Sequence, residues 1–138
     1  MLKNVLLLQS AVLILSSGLH AQCCDHILQM TDSYGDGWNG GSLEVLVNGT
    51  SIGTFAATGA GSTETFTVCT GDDVELIYTP QDWESENSYV LFDQWGNVVF
   101  ADGPTPATGS VFIGLGDCTM VPPPGSTPSI EPRLVPRS

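Results

Sequence analysis

Leu43-Glu44-Val45-Leu46-Val47-Asn48-Gly49-Thr50-Ser51-Ile52 decides the fold of this chain. Leu43, Val45 and Val47 recur at every second position, as a half-buried strand requires. Asn48-Gly49 then supplies the left-handed backbone of a two-residue hairpin turn, and a second strand follows around Ile52 to Ala56. The same Asn48-Gly49-Thr50 is a glycosylation sequon, but the turn alone accounts for it.

The period of two holds on both sides of this hairpin. Leu28 and Met30 mark a strand before it. Phe66 with Val68, and Val74, Leu76 and Tyr78, mark two after it, joined at Thr70-Gly71-Asp72. Ser88 to Asp93 carries Tyr89 and Leu91 on one side and Val90 and Phe92 on the other, so it reads as buried on both faces. Gln94-Trp95-Gly96-Asn97 turns into Val98 to Phe100, and Val111 to Leu115 is the last strand. No segment has a helical repeat of useful length. About eight short strands predict an all-β, two-sheet antiparallel β-sandwich of jelly-roll or CUB-like topology, with a small barrel as the alternative closure.

The flanks differ from this region. Residues 1–21 have the parts of a signal peptide: Lys3, an apolar run from Val5 to Leu15, and the small-residue site Leu19-His20-Ala21. The run is too short to span a bilayer. A single module is expected over 22–120, with no membrane span once the signal is removed. Residues 121–138 are a Pro-rich linker, and Leu134-Val135-Pro136-Arg137-Ser138 matches most of a thrombin-cleavage tag.

Dividing the chain this way exposes its charge pattern. Lys3, Arg133 and Arg137 all fall outside 22–120, whereas fourteen of the fifteen acidic residues fall inside it, a formal charge of −14. Such a surface repels nucleic acid and anionic membrane. Acidity can serve solubility alone, or it can be neutralised by bound divalent cations.

Cys23, Cys24, Cys69 and Cys118 in an exported chain predict two disulfides and a secreted or cell-surface location. Three pairings are open. Adjacent Cys23 and Cys24 point to opposite sides of a strand, so they are expected to bond to different partners. Zinc is disfavoured, because there is no Cys-x-x-Cys pair and His26 is the one histidine of the mature chain.

The densest functional segment is Asp32-Ser33-Tyr34-Gly35-Asp36-Gly37-Trp38-Asn39-Gly40-Gly41. Asp32, Asp36 and Asn39 offer hard oxygen ligands, and the glycines permit the sharp turns of a loop that wraps Ca²⁺. The spacing is not that of an EF-hand. The competing reading is a rigid Asx-turn loop whose carboxylates bond backbone N–H groups. A second acidic loop, Asp82-Trp83-Glu84-Ser85-Glu86-Asn87, precedes the sixth strand, and Asp93 ends that strand. If the loops meet, their carboxylates repel unless a cation lies between them. Asp32, Asp36 and Asn39, with Glu86 and Asp93 as outside contributors, are therefore the candidate Ca²⁺ ligands.

Glu84 and Glu86, two apart on a strand, would stand at a glycosidase-like separation of roughly 7 Å. A small sandwich offers little room for a substrate cleft, so the expectation is a non-enzyme. Tyr34, Trp38 and Trp83 are the candidate ligand-binding aromatics, since exposed rings in loops stack on sugars. The alternative is that such rings fold over the end of the sandwich and cap the core.

The run Asp32 to Gly40, followed by Trp83-Glu84-x-Glu86-Asn87-Ser88-Tyr89 and by Asp102-Gly103-Pro104, resembles repeated modules in large secreted proteins of Bacteroidetes-type bacteria. The resemblance spans nearly all of Cys24 to Cys118. It implies a non-catalytic sandwich, broadly CUB-like, beside adhesive repeats or secreted hydrolases in proteins that often carry a type IX sorting domain. Three functions follow as expectations: an adhesion module for a cell-surface glycan or protein, an accessory domain of a secreted hydrolase, or a structural spacer.

Overall fold

The computed structural model describes residues 21–119. The expected signal peptide, Ala21 excepted, and the expected Pro-rich linker lie outside these residues, as does Met120 at the end of the expected module. Among the described residues eight strands form: β1 (Cys23–Asp32), β2 (Ser42–Val47), β3 (Thr50–Phe55), β4 (Gly61–Cys69), β5 (Asp73–Thr79), β6 (Asn87–Phe92), β7 (Val98–Asp102) and β8 (Gly109–Leu115). One 3-10 turn, Glu84–Glu86, precedes β6. The strands pair antiparallel into two sheets, in the orders β4-β1-β6-β7 and β3-β2-β5-β8. Among consecutive strands only β2–β3 and β6–β7 are hydrogen-bonded neighbours, and every other connection crosses from one sheet to the other. The result is a two-sheet sandwich of generic jelly-roll or CUB-like kind, and not a closed barrel.

Alternation creates the core. Leu28 and Met30 of β1, Leu43 and Val45 of β2, Phe66 and Val68 of β4, Leu76 and Tyr78 of β5, and Tyr89 and Leu91 of β6 are all buried between the sheets. Each such large side chain contributes about 1.5–3 kcal/mol by leaving water. The expected double burial of β6 is only half realised. Tyr89 and Leu91 are buried, but Val90 and Phe92 are half-buried, because no second layer among the described residues covers the outer side of that sheet.

The β2–β3 hairpin forms as its sequence requires: Asn48 and Gly49 both have positive φ, 51° and 73°. The Asn48 side chain is not free, since its amide donates to Asp72 Oδ1 (2.8 Å) and its oxygen accepts from the Asp73 N–H (2.9 Å). Two disulfides close the same end, where Asp72 also accepts from the Cys69 N–H (2.7 Å). Cys23 bonds Cys69, its cross-strand partner on β4, and Cys24 bonds Cys118 beyond β8. The adjacent cysteines thus take different partners, one within a sheet and one between sheets, as alternation along β1 demands.

Candidate functional site

The last pair of the β1–β6 ladder is Asp32 with Asn87. The loop leaving β1 and the loop entering β6 therefore emerge side by side at one end of the sandwich. A backbone bond from the Ser33 N–H to the Glu86 carbonyl (3.0 Å) ties them together.

Asp32 organises the first loop. It is buried, and its carboxylate accepts four backbone N–H groups: Tyr34 at 3.2 Å, Gly35 at 2.9 Å, Asp36 at 2.8 Å and Gly37 at 2.7 Å. Closing the chain this tightly needs glycine at position 37, where φ is +97° and an added Cβ would stand 2.9 Å from the Ala57 carbonyl oxygen. Beyond the turn, Trp38 drops into the core, with 1% of its surface exposed. Its Nε1–H donates to the Thr31 carbonyl (3.0 Å), and its ring stands edge-on to Tyr78 and Tyr89 at centroid distances of 5.6 and 6.1 Å.

The second loop rests on a polar pillar. Asn87, fully buried, donates through Nδ2 to the Tyr78 hydroxyl (2.9 Å), which donates to Glu84 Oε2 (2.6 Å). The other Glu84 oxygen accepts from the Gln81 N–H. This arrangement fixes the 3-10 turn and holds Trp83 in the left-handed region (φ 62°, ψ 36°), an outlying conformation for a bulky side chain. Tyr78 reads in sequence simply as a core position of β5, and Asn87 appears there only as the end of the second acidic loop and part of its motif, with no sign that the two meet.

Carboxylate oxygens of Asp32, Asp36 and Glu86 lie within 4.8 Å of one another. Asn39 joins them indirectly, its Nδ2 donating to Asp36 Oδ1 (3.1 Å). Above the carboxylates is a groove of about 350 Å³ lined by Tyr34, Asp36, Trp83 and Glu86. Tyr34 is 77% exposed and Trp83 68%, so two aromatic surfaces and two carboxylates share one depression.

The charges in this cluster titrate in opposite directions. Burial raises the Glu86 pKa above its ordinary 4.5, and the Asp32 and Asp36 carboxylates raise it further. At Asp32 burial also acts to raise the pKa, but the four N–H donors together outweigh it and hold the carboxyl below 3.8. Because folded Glu86 takes up its proton before the unfolded chain does, stability rises as pH falls through its raised value. Asp32 works the other way, and its contribution is lost as pH falls through its depressed value. Thermal melts in chelator between about pH 7 and pH 3 should thus pass through a maximum near the ordinary carboxylate range. A steady fall from neutrality would remove Glu86 repulsion from the account.

Several candidate residues stand elsewhere. Trp38 is a core side chain, so its ring is not available to a ligand. Asp93 follows β6, whose far end pairs with Ile27 of β1, so it lies roughly 20 Å of strand away from Asp32. There it caps a turn, accepting from the Trp95 and Asn97 N–H groups (both 2.8 Å) and from Asn97 Nδ2. Glu84 and Glu86 are not strand neighbours but occupy the 3-10 turn, with Glu84 bonded beneath it. His26 is buried in β1 beside Phe66, and burial lowers its pKa against the opposing pull of Asp93 and Asp25. The site therefore brings together Asp32, Asp36, Asn39, Glu86, Tyr34 and Trp83.

No protein-family model, curated protein or solved structure matches the chain.

Proposed function

We propose that this chain is a non-catalytic extracellular binding or adhesion module, stabilised by Ca²⁺, that binds carbohydrate in the groove between Tyr34 and Trp83. The observation that carries the reading is the convergence of Asp32, Asp36 and Glu86 from two separate loops, with carboxylate oxygens within 4.8 Å. Carboxylates this close repel, and a divalent cation relieves that repulsion while bridging the loops. Two disulfides suit an oxidising, secreted or cell-surface setting. Among the described residues no helix is long and apolar enough to cross a membrane. The likeness of the Asp32–Gly40 motif to repeated secreted modules supports the same reading, including a place beside a hydrolase.

Melting in millimolar Ca²⁺ and in chelator tests the metal. A site filled at 100 times its dissociation constant adds about 2.7 kcal/mol, an upward Tm shift of about 10 °C or more for a domain of this size. The Glu86→Gln variant should lose most of that shift. An unchanged Tm favours a second reading, a structural spacer, which the four loop N–H bonds that Asp32 already accepts support.

A further inference from the structure

We propose that the groove takes a saccharide bearing a protonated amine, an amino-sugar residue of a de-N-acetylated glycan, with its ring against Tyr34 or Trp83 and its ammonium between Asp36 and Glu86. This rests on the groove being a saccharide site and names the class of sugar. The exposed aromatic rings present flat apolar faces, which suit the C–H face of a pyranose. The volume of about 350 Å³ is near the lower end of small-ligand sites, enough for one ring and its substituents.

Charge selects among sugars. Two of the four lining side chains are carboxylates, Asp32 lies within 4.8 Å of both, and residues 22–119 contain no Lys or Arg to offset them. A uronic acid or sulfated sugar meets repulsion with no basic partner. A neutral sugar leaves Asp36 and Glu86 facing one another uncompensated. An ammonium between them offsets one of the two charges, relieving their repulsion, and is also attracted to the face of a neighbouring tryptophan. Ca²⁺ uses the same carboxylates, so the two cations compete, and the glycan is bound most tightly when Ca²⁺ is scarce.

The test is titration calorimetry of the full chain at mildly acidic pH in chelator, using a glucosamine oligomer and the N-acetylated oligomer of equal length. The charged oligomer is expected to bind at least about tenfold tighter. Trp83→Ala and Glu86→Gln should each weaken it about tenfold, Trp83→Phe should retain binding, and added Ca²⁺ should raise the measured Kd. Equal binding of the two oligomers overturns the amine selection but leaves a saccharide groove. Binding matched by spermidine or by a lysine-rich peptide, or insensitive to Trp83→Ala, reduces the effect to bulk charge attraction and overturns the proposal. Binding of neither oligomer removes the saccharide reading as well, while the Ca²⁺ melts still decide the metal independently.

Discussion

Replacing Cys24 and Cys118 together by alanine is expected to destabilise the folded chain by about 4 kcal/mol and to lower Tm by roughly 20 °C. The bond closes a loop of 94 residues, so its loss frees almost the whole described chain in the unfolded state. Chain entropy alone puts Cys23–Cys69, which spans 46 residues, only about 0.6 kcal/mol behind it. The two bonds differ more in the folded state. Cys118 is completely buried, and its link to β1 joins the sheets, whereas Cys23–Cys69 ties two strands already hydrogen-bonded to each other. Urea unfolding of each double variant would separate these contributions. Losses that differ by no more than about 0.6 kcal/mol would mean that the connection between sheets adds nothing beyond loop closure.

Trp38→Ala should cost about 3–5 kcal/mol, as is usual for deleting a fully buried aromatic. The cavity would open among Tyr78, Tyr89 and the β1–β2 loop, and the Thr31 carbonyl would lose its Nε1–H partner. Trp83→Ala is expected to change stability by no more than about 0.5 kcal/mol, because most of that ring faces solvent. Denaturant midpoints of the two variants measure the contrast directly. A large loss from Trp83→Ala would show that its ring packs as part of the fold and is not a free wall of the groove.

These two tryptophans also show where sequence reasoning ends. Strands were readable because alternation is a local property: Leu43, Val45 and Val47 declare a buried face whatever lies opposite. Loops carry no such period. Trp38 and Trp83 both sit beside acidic residues and turn formers, and only the packing of β5 and β6 sends one inward and leaves the other out. The acidic loops were likewise visible, and an Asx-type turn was one of the two readings of the first, but only the folded loop shows that Asp32 is the carboxylate its N–H groups hold. Asp93 could have been placed by a simpler consideration. The two ends of a strand lie at opposite ends of a sandwich, so Glu86 before β6 and Asp93 after it cannot share one cation. Glu84 and Asn87 were visible as parts of the second acidic loop, but their joining through Tyr78 had no sequence signal, since that proximity arises only when the β5–β6 connection folds back.

The Cys24–Cys118 bond has a mechanical consequence. Tension applied at residues 22 and 119 enters the fold a few residues from this bond on either side. The covalent link transmits the pull directly, and the strands between are bypassed. The groove, at the other end of β1 from Cys24, would keep its shape while the chain on either side is drawn taut.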